Sequence, residues 1–519
     1  MTKAEGAKDA LAQGAQGAQG ARRARVSTGI EGLDIVLHGG LLPRNIYIVM
    51  GRPGAGKTIL GNQICYTHVR SGGRALYVTL LAEMHEAMLE HIGRLGFFDP
   101  AAVGSSLVYL NGYAALDQGG LDALLKLLRQ GLREHRASLL IIDGMITAAL
   151  FAKSDIDYKR FLQEMQSWAS LMGVTVLFLT SSDTGTTSAP EHTMVDGIIE
   201  LRSSPFQKRC LRELAVTKVR GGGFLEGRHE YVITDEGMHV YPRPEALLSR
   251  PREGRYSDRR LESGIPGFDA LMEGGLVEGS TTLLLGSSGT GKTVIGLQFL
   301  NTGAQAGEPV LHVGSLESPA ALRGKARRLG LDFGERGGRD NLIVHWHPSA
   351  ELSLDAMMNN LLTLVRARGI RRLLLDGLAG FKSASPYPER MSSLFAVITE
   401  ELQQLGVTTM LTEETRELFV RHIEVPTPGV SAICHNIVFL RRVEIEAELQ
   451  WLISVMKTRD TGHARGLYHF DITDRGVVIG EKFSPMQNVL SGVTSQARAP
   501  SIRSRKPAGR KKMTSKSGK

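Results

Sequence analysis

Cysteine and aromatic residues are scarce in this chain. Among its 519 residues there are three cysteines, Cys65, Cys210 and Cys434, and Phe, Trp and Tyr together make up 6% of the composition. The cysteines lie far apart and form no Cys-x-x-Cys pair, which argues against a disulfide framework and against a zinc site of closely spaced thiolates. We therefore expect buried free thiols.

Long apolar runs are absent as well. No stretch reaches the roughly eighteen uncharged apolar residues of a membrane span, and Met1 to Val26 is polar and lacks the apolar centre of a signal peptide. We expect a cytoplasmic protein without a membrane partner. Apolar residues still make up 42% of the chain, enough for two cores of ordinary domain size.

The formal net charge of +9 comes from one end of the chain. Arg498 to Lys519 contains nine Lys or Arg and no acidic residue, and the rest has 53 basic and 53 acidic residues. This Pro/Ser/Gly-punctuated tail is predicted to be disordered, either simply solvated or making a weak electrostatic contact with nucleic acid or an acidic partner. The N-terminal arm, with its repeated Ala-Gln-Gly, is also predicted to be unstructured.

One phosphate-binding loop sequence is present twice. The two copies, 235 residues apart, are Gly51-Arg52-Pro53-Gly54-Ala55-Gly56-Lys57-Thr58 and Gly286-Ser287-Ser288-Gly289-Thr290-Gly291-Lys292-Thr293. Each follows an apolar, strand-like run, Asn45 to Met50 or Thr281 to Leu285, and opens a segment with the pattern of a helix. The sequence therefore predicts two nucleotide sites.

Each residue type in this loop has a role in binding a nucleotide with Mg²⁺. The glycines let backbone N–H groups turn towards phosphate oxygens, and the helix N-terminus adds positive partial charge. Lys57 or Lys292 would neutralise the β and γ oxygens, and Thr58 or Thr293 would offer a hydroxyl to Mg²⁺.

The repeat extends well beyond the loops. Thr28-Gly29-Ile30-Glu31-Gly32-Leu33-Asp34 has its counterpart in Ser263-Gly264-Ile265-Pro266-Gly267-Phe268-Asp269, again 235 residues on. Both copies then have the pattern of strand, P-loop, helix, strand and helix, which predicts two tandem α/β P-loop domains with mostly parallel sheets flanked by helices.

Each copy also has an apolar run that ends in an acid, Leu139 to Asp143 and Leu373 to Asp376. These aspartates would lie at the carboxyl ends of buried strands, close to the P-loop, where an acid can orient Mg²⁺ or its water. The alternative is a helix cap, and the P-loop upstream favours the metal role.

Glu83 and Glu317 are the candidates for activating a nucleophile. Each stands thirteen residues before the Gly of an Arg-Leu-Gly segment, so the two glutamates occupy equivalent positions of the repeat if the first copy has one residue inserted before Glu83. Each could polarise a nucleophile in line with a γ-phosphate. The alternative is an acid of a first helical turn, favoured by the helix dipole.

These features together resemble the KaiC family of RecA-like ATPases. The resemblance rests on the doubled P-loop, the Glu31-Gly32-Leu33-Asp34 and Gly39-Gly40-Leu41 segments ahead of it and the strand-terminal aspartates, and it covers roughly Val26 to Gly492. It implies ATP and Mg²⁺ as cofactors. It also implies a slow ATPase in the first domain and, in clock members, an autokinase in the second.

Two further segments resemble the Lys-x-Arg segment with which this family reaches the nucleotide of a neighbouring subunit. They contain Lys218 and Arg220 in the first half and Lys457 and Arg459 in the second. The resemblance implies a homo-hexameric ring with ATP between subunits and cations that act in trans. Without the family, such alternating cations indicate a solvated strand face.

The family's paired phosphorylation sites correspond to Ser431 and Ala432, so a serine is present and the threonine is missing. The acid expected shortly afterwards is His435, and the paired glutamates are reduced to Ala82-Glu83 and Leu316-Glu317. Ser431 is a candidate site of autophosphorylation or, equally, a hydroxyl that caps a turn.

The sequence thus predicts a disordered arm at 1–25, ATPase domains at 26–247 and 261–492, a linker at 248–260 and a basic tail at 493–519. We expect a ring-forming signalling ATPase with unidentified protein partners. Two alternatives stay open: a DNA-dependent recombinase or translocase, which the neutral body disfavours, and a scaffold that binds ATP without hydrolysing it.

Overall fold

The computed structural model describes residues 25–81, 85–181, 193–248, 257–334, 338, 340–348, 353–415, 425–427, 429–445, 448–459 and 462–483. Residues 1–24 of the predicted arm, 249–256 of the predicted linker and the whole predicted tail lie outside this set. Two compact units are present. The first comprises the described residues of 1–255 with 347–370 and 380–406, and the second those of 256–346, 371–379 and 407–519.

The first half of the chain alternates strands and helices up to β6 and then continues as strands. Its elements are α1 Glu31–Val36, β1 Ile46–Gly51, α2 Lys57–Arg70, β2 Ala75–Thr79, α3 His85–Ile92, β3 Leu107–Asn111, α4 Tyr113–His135, β4 Leu139–Asp143, α5 Met145–Leu150, α6 Asp155–Met172, β5 Thr175–Thr180, β6 Gly197–Phe206, β7 Arg209–Val219, β8 Arg228–Thr234, β9 Gly237–Tyr241 and α7 Pro244–Leu247.

The second half repeats this order. Its elements are β10 Arg260–Leu261, α8 Pro266–Leu271, β11 Leu276–Val277, β12 Thr281–Gly286, α9 Lys292–Gln305, β13 Val310–Gly314, α10 Pro319–Arg328, β14 Leu342–Trp346, α11 Leu354–Arg368, β15 Arg372–Asp376, α12 Leu378–Ala384, α13 Met391–Gln404, β16 Thr408–Glu414, α14 Val430–Ile433, β17 Asn436–Ile445, β18 Glu448–Lys457, β19 Tyr468–Thr473 and β20 Gly476–Lys482.

Each half contributes a nine-stranded sheet, and the two sheets have the same topology. The strand orders are β3-β2-β4-β5-β1-β6-β7-β8-β9 and β14-β13-β15-β16-β12-β17-β18-β19-β20. Pairing is parallel from β3 to β6 and from β14 to β17, and antiparallel beyond. The predicted fold class, two α/β domains with mostly parallel sheets, is confirmed.

The core of the first unit lies on both faces of its sheet. Alternate residues of the central strands face opposite ways: Tyr47 and Val49 of β1 belong to one apolar cluster with Leu60 and Ile64 of α2, whereas Ile48 belongs to another with residues of α4 and α6. Strands covered on both faces are apolar throughout, as all six buried residues of β1 illustrate. In the second unit, α9 packs on its own sheet through one comparable cluster.

Local sequence accounts for both ends of helix α6. The helix begins after Ser154, whose side chain accepts a hydrogen bond from Asp157 N, and it ends at Gly173, where φ is 75°. The hydroxyl satisfies a free N–H of the first turn, and glycine adopts the left-handed conformation without steric cost.

Helices α11 and α13 belong to the first compact unit, although the chain reaches them in its second half. Arg390, just before α13, holds them in that unit through ion pairs with Glu245 (2.9 Å) and Asp355 (2.8 Å). All three side chains are largely buried, and such a guanidinium is suited to two carboxylates at once.

Two expectations from composition can be compared with the described residues. Cys65 and Cys434 are buried, but Cys210 is exposed, so the expectation of a buried thiol is wrong there. It lies near the start of β7, and its side chain is directed outward. Within the described part of the chain, no helix combines the length and apolarity needed to cross a bilayer.

Candidate functional site

The first P-loop connects β1 to α2 at the carboxyl edge of the sheet. Gly54 and Gly56 have φ values of 79° and 91°, which glycine adopts readily. Lys57 Nζ donates to the carbonyls of Gly51 (2.7 Å) and Arg52 (3.0 Å), so the ammonium lies across its own loop. Burial lowers the pKa of this lysine, and the Asp143 carboxylate opposes the shift.

The second P-loop, between β12 and α9, has the same geometry. Lys292 Nζ donates to the carbonyls of Gly286 and Ser287, both at 2.8 Å, and burial lowers its pKa. Thr290 Oγ1 donates to Ser287 O at 2.8 Å. The structure thus brings together the predicted nucleotide-binding residues of each loop.

Two supporting residues were not identified from the sequence, because they come from strands that lie far from the loops along the chain. In the first unit the buried Tyr231 of β8 donates its hydroxyl to Ala55 O (2.6 Å). In the second, Arg442 of β17 donates from Nη2 to Gly289 O (2.7 Å). Each ties a strand to a loop carbonyl and stabilises the loop conformation.

The first aspartate lies beside the hydroxyl proposed as its partner. Thr58 Oγ1 donates to Asp143 Oδ2 at 2.9 Å, and the Tyr77 hydroxyl donates to the same oxygen at 2.8 Å. Burial raises the pKa of Asp143 above its ordinary value, although these two donors and Lys57 oppose the shift.

The second aspartate has a different set of neighbours. Thr293 Oγ1 lies 3.0 Å from Asp376 Oδ2, Thr412 Oγ1 donates to Oδ1 at 2.5 Å, and His312 Nε2 lies 3.6 Å from Oδ2. Burial raises the pKa of Asp376, but the imidazole and the hydroxyl donors outweigh it, so the pKa lies below its ordinary value.

These donor sets suit Mg²⁺. The ion prefers hard oxygen ligands and is usually held by one or two carboxylates together with phosphate oxygens and water. A threonine hydroxyl and a carboxylate lie within hydrogen-bond distance at the mouth of both P-loops. Among the described residues, no cysteine or methionine is hydrogen-bonded to either carboxylate. The residues therefore fit the metal that two P-loops imply.

Of the two candidate bases, Glu83 lies outside the described residues. Glu317 lies just before α10 and forms an ion pair with Lys325 through Oε1. Its other oxygen, Oε2, is buried and has no hydrogen-bond partner among the described residues. A buried acceptor without a partner is unusual in a folded protein.

The Lys-x-Arg cations of both halves contact backbone carbonyls at corresponding places. Lys218 Nζ (3.3 Å) and Arg220 Nη2 (3.0 Å) donate to Thr193 O, four residues before β6. Lys457 Nζ donates to Ser431 O (2.8 Å) and Cys434 O (2.9 Å), and Arg459 donates to Ala432 O, four residues before β17. Within a single chain these cations therefore bind the segment that leads into β6 or β17.

The family is decided by comparison with known proteins. A family model described as "ATPase: KaiC" matches residues 26–245 and again residues 261–484. The chain belongs to the KaiC ATPase family. The resemblance inferred from the motifs is confirmed, and so is the tandem arrangement of two ATPase domains.

Named KaiC proteins are similar to the chain over nearly its whole length. The circadian clock oscillator protein KaiC of Picosynechococcus sp. is 26% identical over 485 residues, which cover 90% of this chain and 92% of that protein. The protein of the same name from Thermostichus vulcanus is 24% identical over 498 residues, 91% of this chain and 92% of its own. That from Synechococcus elongatus is 24% identical over 482 residues, 90% and 91%.

Ser431, the candidate phosphorylation site, lies in the short helix α14. The helix follows Gly429, whose φ is 79°, and precedes β17, which pairs with the P-loop strand β12. The Ser431 side chain is half-buried, and its carbonyl accepts the Lys457 ammonium. The segment thus stands next to the strand from which the second P-loop begins.

Proposed function

We propose that this protein is a ring-forming, Mg²⁺-dependent ATPase of the KaiC family, in which ATP binds at both P-loops. The observation that carries the proposal is the Thr–Asp pair, present at both P-loops at 2.9 and 3.0 Å. This pair is what a nucleotide site needs to hold Mg²⁺, and it occurs beside a lysine and a run of backbone N–H groups that suit phosphates.

At each site the lysine would exchange its loop carbonyls for phosphate oxygens. Its ammonium is already half-buried and bonded to two carbonyls, so binding replaces neutral acceptors by charged ones, a stronger interaction. Thr58 with Asp143, and Thr293 with Asp376, would hold the metal ion, which supplies charge neutralisation on the β and γ oxygens.

Glu317 is our candidate for the general base of the second domain. Lys325 holds one carboxylate oxygen, which leaves the buried Oε2 to accept a proton. If Ser431 is the nucleophile, its oxygen forms a bond to the γ-phosphorus as the bond to ADP breaks, and the hydroxyl proton passes to this carboxylate. If water is the nucleophile, the same group accepts a proton from water.

In a ring, the Lys-x-Arg cations would reach the nucleotide of a neighbouring subunit and stabilise charge late in phosphoryl transfer. Arg220 and Arg459 are exposed. Arg220 contacts Thr193 O and pairs with Asp196 at 3.9 Å, and Arg459 contacts Ala432 O, so each guanidinium would exchange these partners for phosphate oxygens. ATP binding and hydrolysis would then alter subunit contacts and present a surface to signalling proteins, as any nucleotide switch must.

The first test is incubation of the purified protein with Mg-ATP, followed by peptide mass spectrometry and measurement of ADP. We expect ADP release that is lost in a Lys57→Ala, Lys292→Ala double variant, and phosphate on Ser431 that is lost in Glu317→Gln. Glu481→Gln, an exposed change on β20 of the same unit, is the matched control. ADP release without any phosphopeptide would contradict the kinase and leave the ATPase.

The same assay separates the alternative functions. A scaffold that binds ATP without turnover would release no ADP from either site and would be indifferent to Glu317→Gln. A DNA-dependent recombinase or translocase would gain ATPase rate with DNA, and that gain would fall steeply as salt rises. The neutral body of the chain favours the signalling ATPase over the DNA motor.

A further inference from the structure

The two metal-facing aspartates accept hydrogen bonds from neighbouring strands on opposite flanks of their own strand. In the first sheet Asp143 of β4 has β2 on one side and β5 on the other, and in the second Asp376 of β15 has β13 and β16. The buried donor to Asp143 is Tyr77 of β2 (2.8 Å). The buried donor to Asp376 is Thr412 of β16 (2.5 Å).

Corresponding positions in the other unit lack these donors. Tyr77 lies across from Ile141, two residues before Asp143, and His312 lies across from Leu374, two residues before Asp376. Tyr77 and His312 therefore occupy equivalent positions in the two sheets. The His312 imidazole lies 3.6 Å from Asp376 Oδ2 and favours the charged carboxylate, but it carries no hydroxyl and its contact is longer than the 2.5 Å bond of Thr412. On the other flank, Leu179 stands directly across from Asp143, where the second unit has Thr412.

The direction of each hydroxyl proton follows from its contacts. Tyr77 is fully buried, and its phenol donates to Asp143 Oδ2, the oxygen that also receives Thr58. Thr412 Oγ1 accepts from Gly377 N (2.8 Å), which directs its own proton to Asp376 Oδ1. Thr58 and Thr293 have a proposed role at the metal, whereas Tyr77 and Thr412 contact the aspartates without such a role.

We propose that Tyr77 and Thr412 are the positioning residues for the metal-facing aspartates of the first and second sites. Each would fix the carboxylate rotamer by a hydrogen bond from a neutral hydroxyl at a buried position. The inference rests on the proposed Mg-ATP function. Partners that orient a metal-binding side chain without touching the ion commonly change metal affinity by about 10–100-fold.

Because the two aspartates have different hydroxyl donors, each site can be tested by its own substitution. Tyr77→Phe removes one oxygen and keeps the ring that fills the buried volume, and Thr412→Val removes a hydroxyl without changing shape. The first is made in a Lys292→Ala background, which leaves only the first site, and the second in a Lys57→Ala background. The readout is the Mg²⁺ concentration at half-maximal thermal stabilisation by ADP.

We expect each variant to raise that Mg²⁺ midpoint at its own site by about 10–100-fold. Tyr77→Phe in the Lys57→Ala background and Thr412→Val in the Lys292→Ala background should leave the Mg²⁺ midpoint within about twofold of the parent. The reason is that each donor is bonded to the aspartate of one site only. Thr412→Ser, which restores a hydroxyl, should return the second site to about the parent value.

Two matched controls test loss of stability alone. Tyr109→Phe removes a partly buried hydroxyl that donates to Asn62 Oδ1 (2.8 Å). Thr408→Val removes a buried hydroxyl on the strand of Thr412 that, like Thr412, accepts from a glycine N–H, here Gly279 N at 2.9 Å. For each variant, the stabilisation is measured relative to that variant's own melting temperature without Mg²⁺. A substitution that only lowers stability therefore leaves the Mg²⁺ midpoint unchanged.

Unchanged Mg²⁺ midpoints in both variants would overturn the inference, and so would equal shifts in the two controls. If Tyr77→Phe does not fold, the comparison of Thr412→Val with Thr412→Ser decides the second site by itself. Absence of any Mg²⁺-dependent stabilisation in the parent proteins is a distinct result, because it removes the proposed function and the inference with it.

Discussion

His229 shows at the scale of one residue how burial sets protonation. Its imidazole is fully buried in the first unit; Nδ1 accepts a hydrogen bond from Arg243 N at 2.9 Å, which leaves Nε2–H to donate to Leu225 O at 3.2 Å. Both bonds are satisfied by the neutral ring. Burial lowers the pKa of His229 to about 4, against an ordinary value of 6.5.

The stability of the first unit should therefore fall in acid. Between pH 6.5 and 4 the unfolded chain binds a proton at this position that the folded chain does not, so the free energy of unfolding decreases as the pH falls. The contribution of neutral His229 to the free energy of unfolding is complete above pH 6.5 and is lost below pH 4. It amounts to about 3 kcal/mol.

Calorimetric unfolding between pH 7 and 4 measures this loss. His229→Gln should flatten the pH dependence of the unfolding transition of the first unit. His239→Gln changes an exposed residue of β9 and should leave that pH dependence as in the parent. An equally steep pH dependence in His229→Gln would show that other groups carry it.

At the scale of an element, the start of the P-loop is constrained by sheet packing. Gly51 ends β1 opposite Leu201 of β6, and a Cβ there would lie 2.5 Å from the Leu201 carbonyl oxygen. At Gly54, a Cβ would meet nothing within 4 Å, and only its φ of 79° opposes a side chain. The two glycines are needed for different physical reasons.

Gly51→Ala should consequently destabilise the first unit more than Gly54→Ala. The first forces two central strands apart, at a cost of about 1–3 kcal/mol or more because backbone cannot give way. The second imposes a left-handed conformation on alanine, at about 1 kcal/mol. Melting temperatures without nucleotide measure the difference, and equal losses would contradict the close approach at Gly51.

At the scale of the whole molecule, the proposed ring makes assembly depend on nucleotide. With Mg-ATP, light scattering coupled to size exclusion should give a mass about six times the 56.4 kDa of one chain. Lys57→Ala, which removes the phosphate-binding ammonium of the first site, should prevent this assembly. Lys482→Ala, an exposed lysine on β20, is the matched control.

Arg220→Ala separates assembly from turnover. If Arg220 acts in trans on a neighbour's nucleotide, its loss should reduce ATPase activity in rings that still form, because an arginine of this kind stabilises transition-state charge. Full turnover in assembled Arg220→Ala rings would contradict the action in trans and leave Arg220 its contacts within its own chain, to Thr193 O and Asp196.

The sequence predicted the elements near the P-loops well, for a physical reason. The predicted strand at Asn45 to Met50 is β1 Ile46–Gly51, and the run ending at Asp143 is β4. Strands buried on both faces are uninterrupted apolar runs, and the glycine-rich loop marks where they end. The fold class followed from repeating that pattern. The roles of Glu317, Ser431 and the Lys-x-Arg cations stay predictions.

What the sequence determined by itself is the chemistry of the two loops, the internal repeat and the family, because these depend on residues adjacent in the chain. The tertiary structure decided which distant side chains support them. Tyr77, Thr412, Tyr231 and Arg442 reach the sites only through strand pairing. Likewise, Arg390 and its carboxylates, far apart in sequence, meet in a buried cluster. Strand pairing sets the contacts of the four side chains at the loops, and packing of helices sets those of the Arg390 cluster, so spacing along the chain does not encode either.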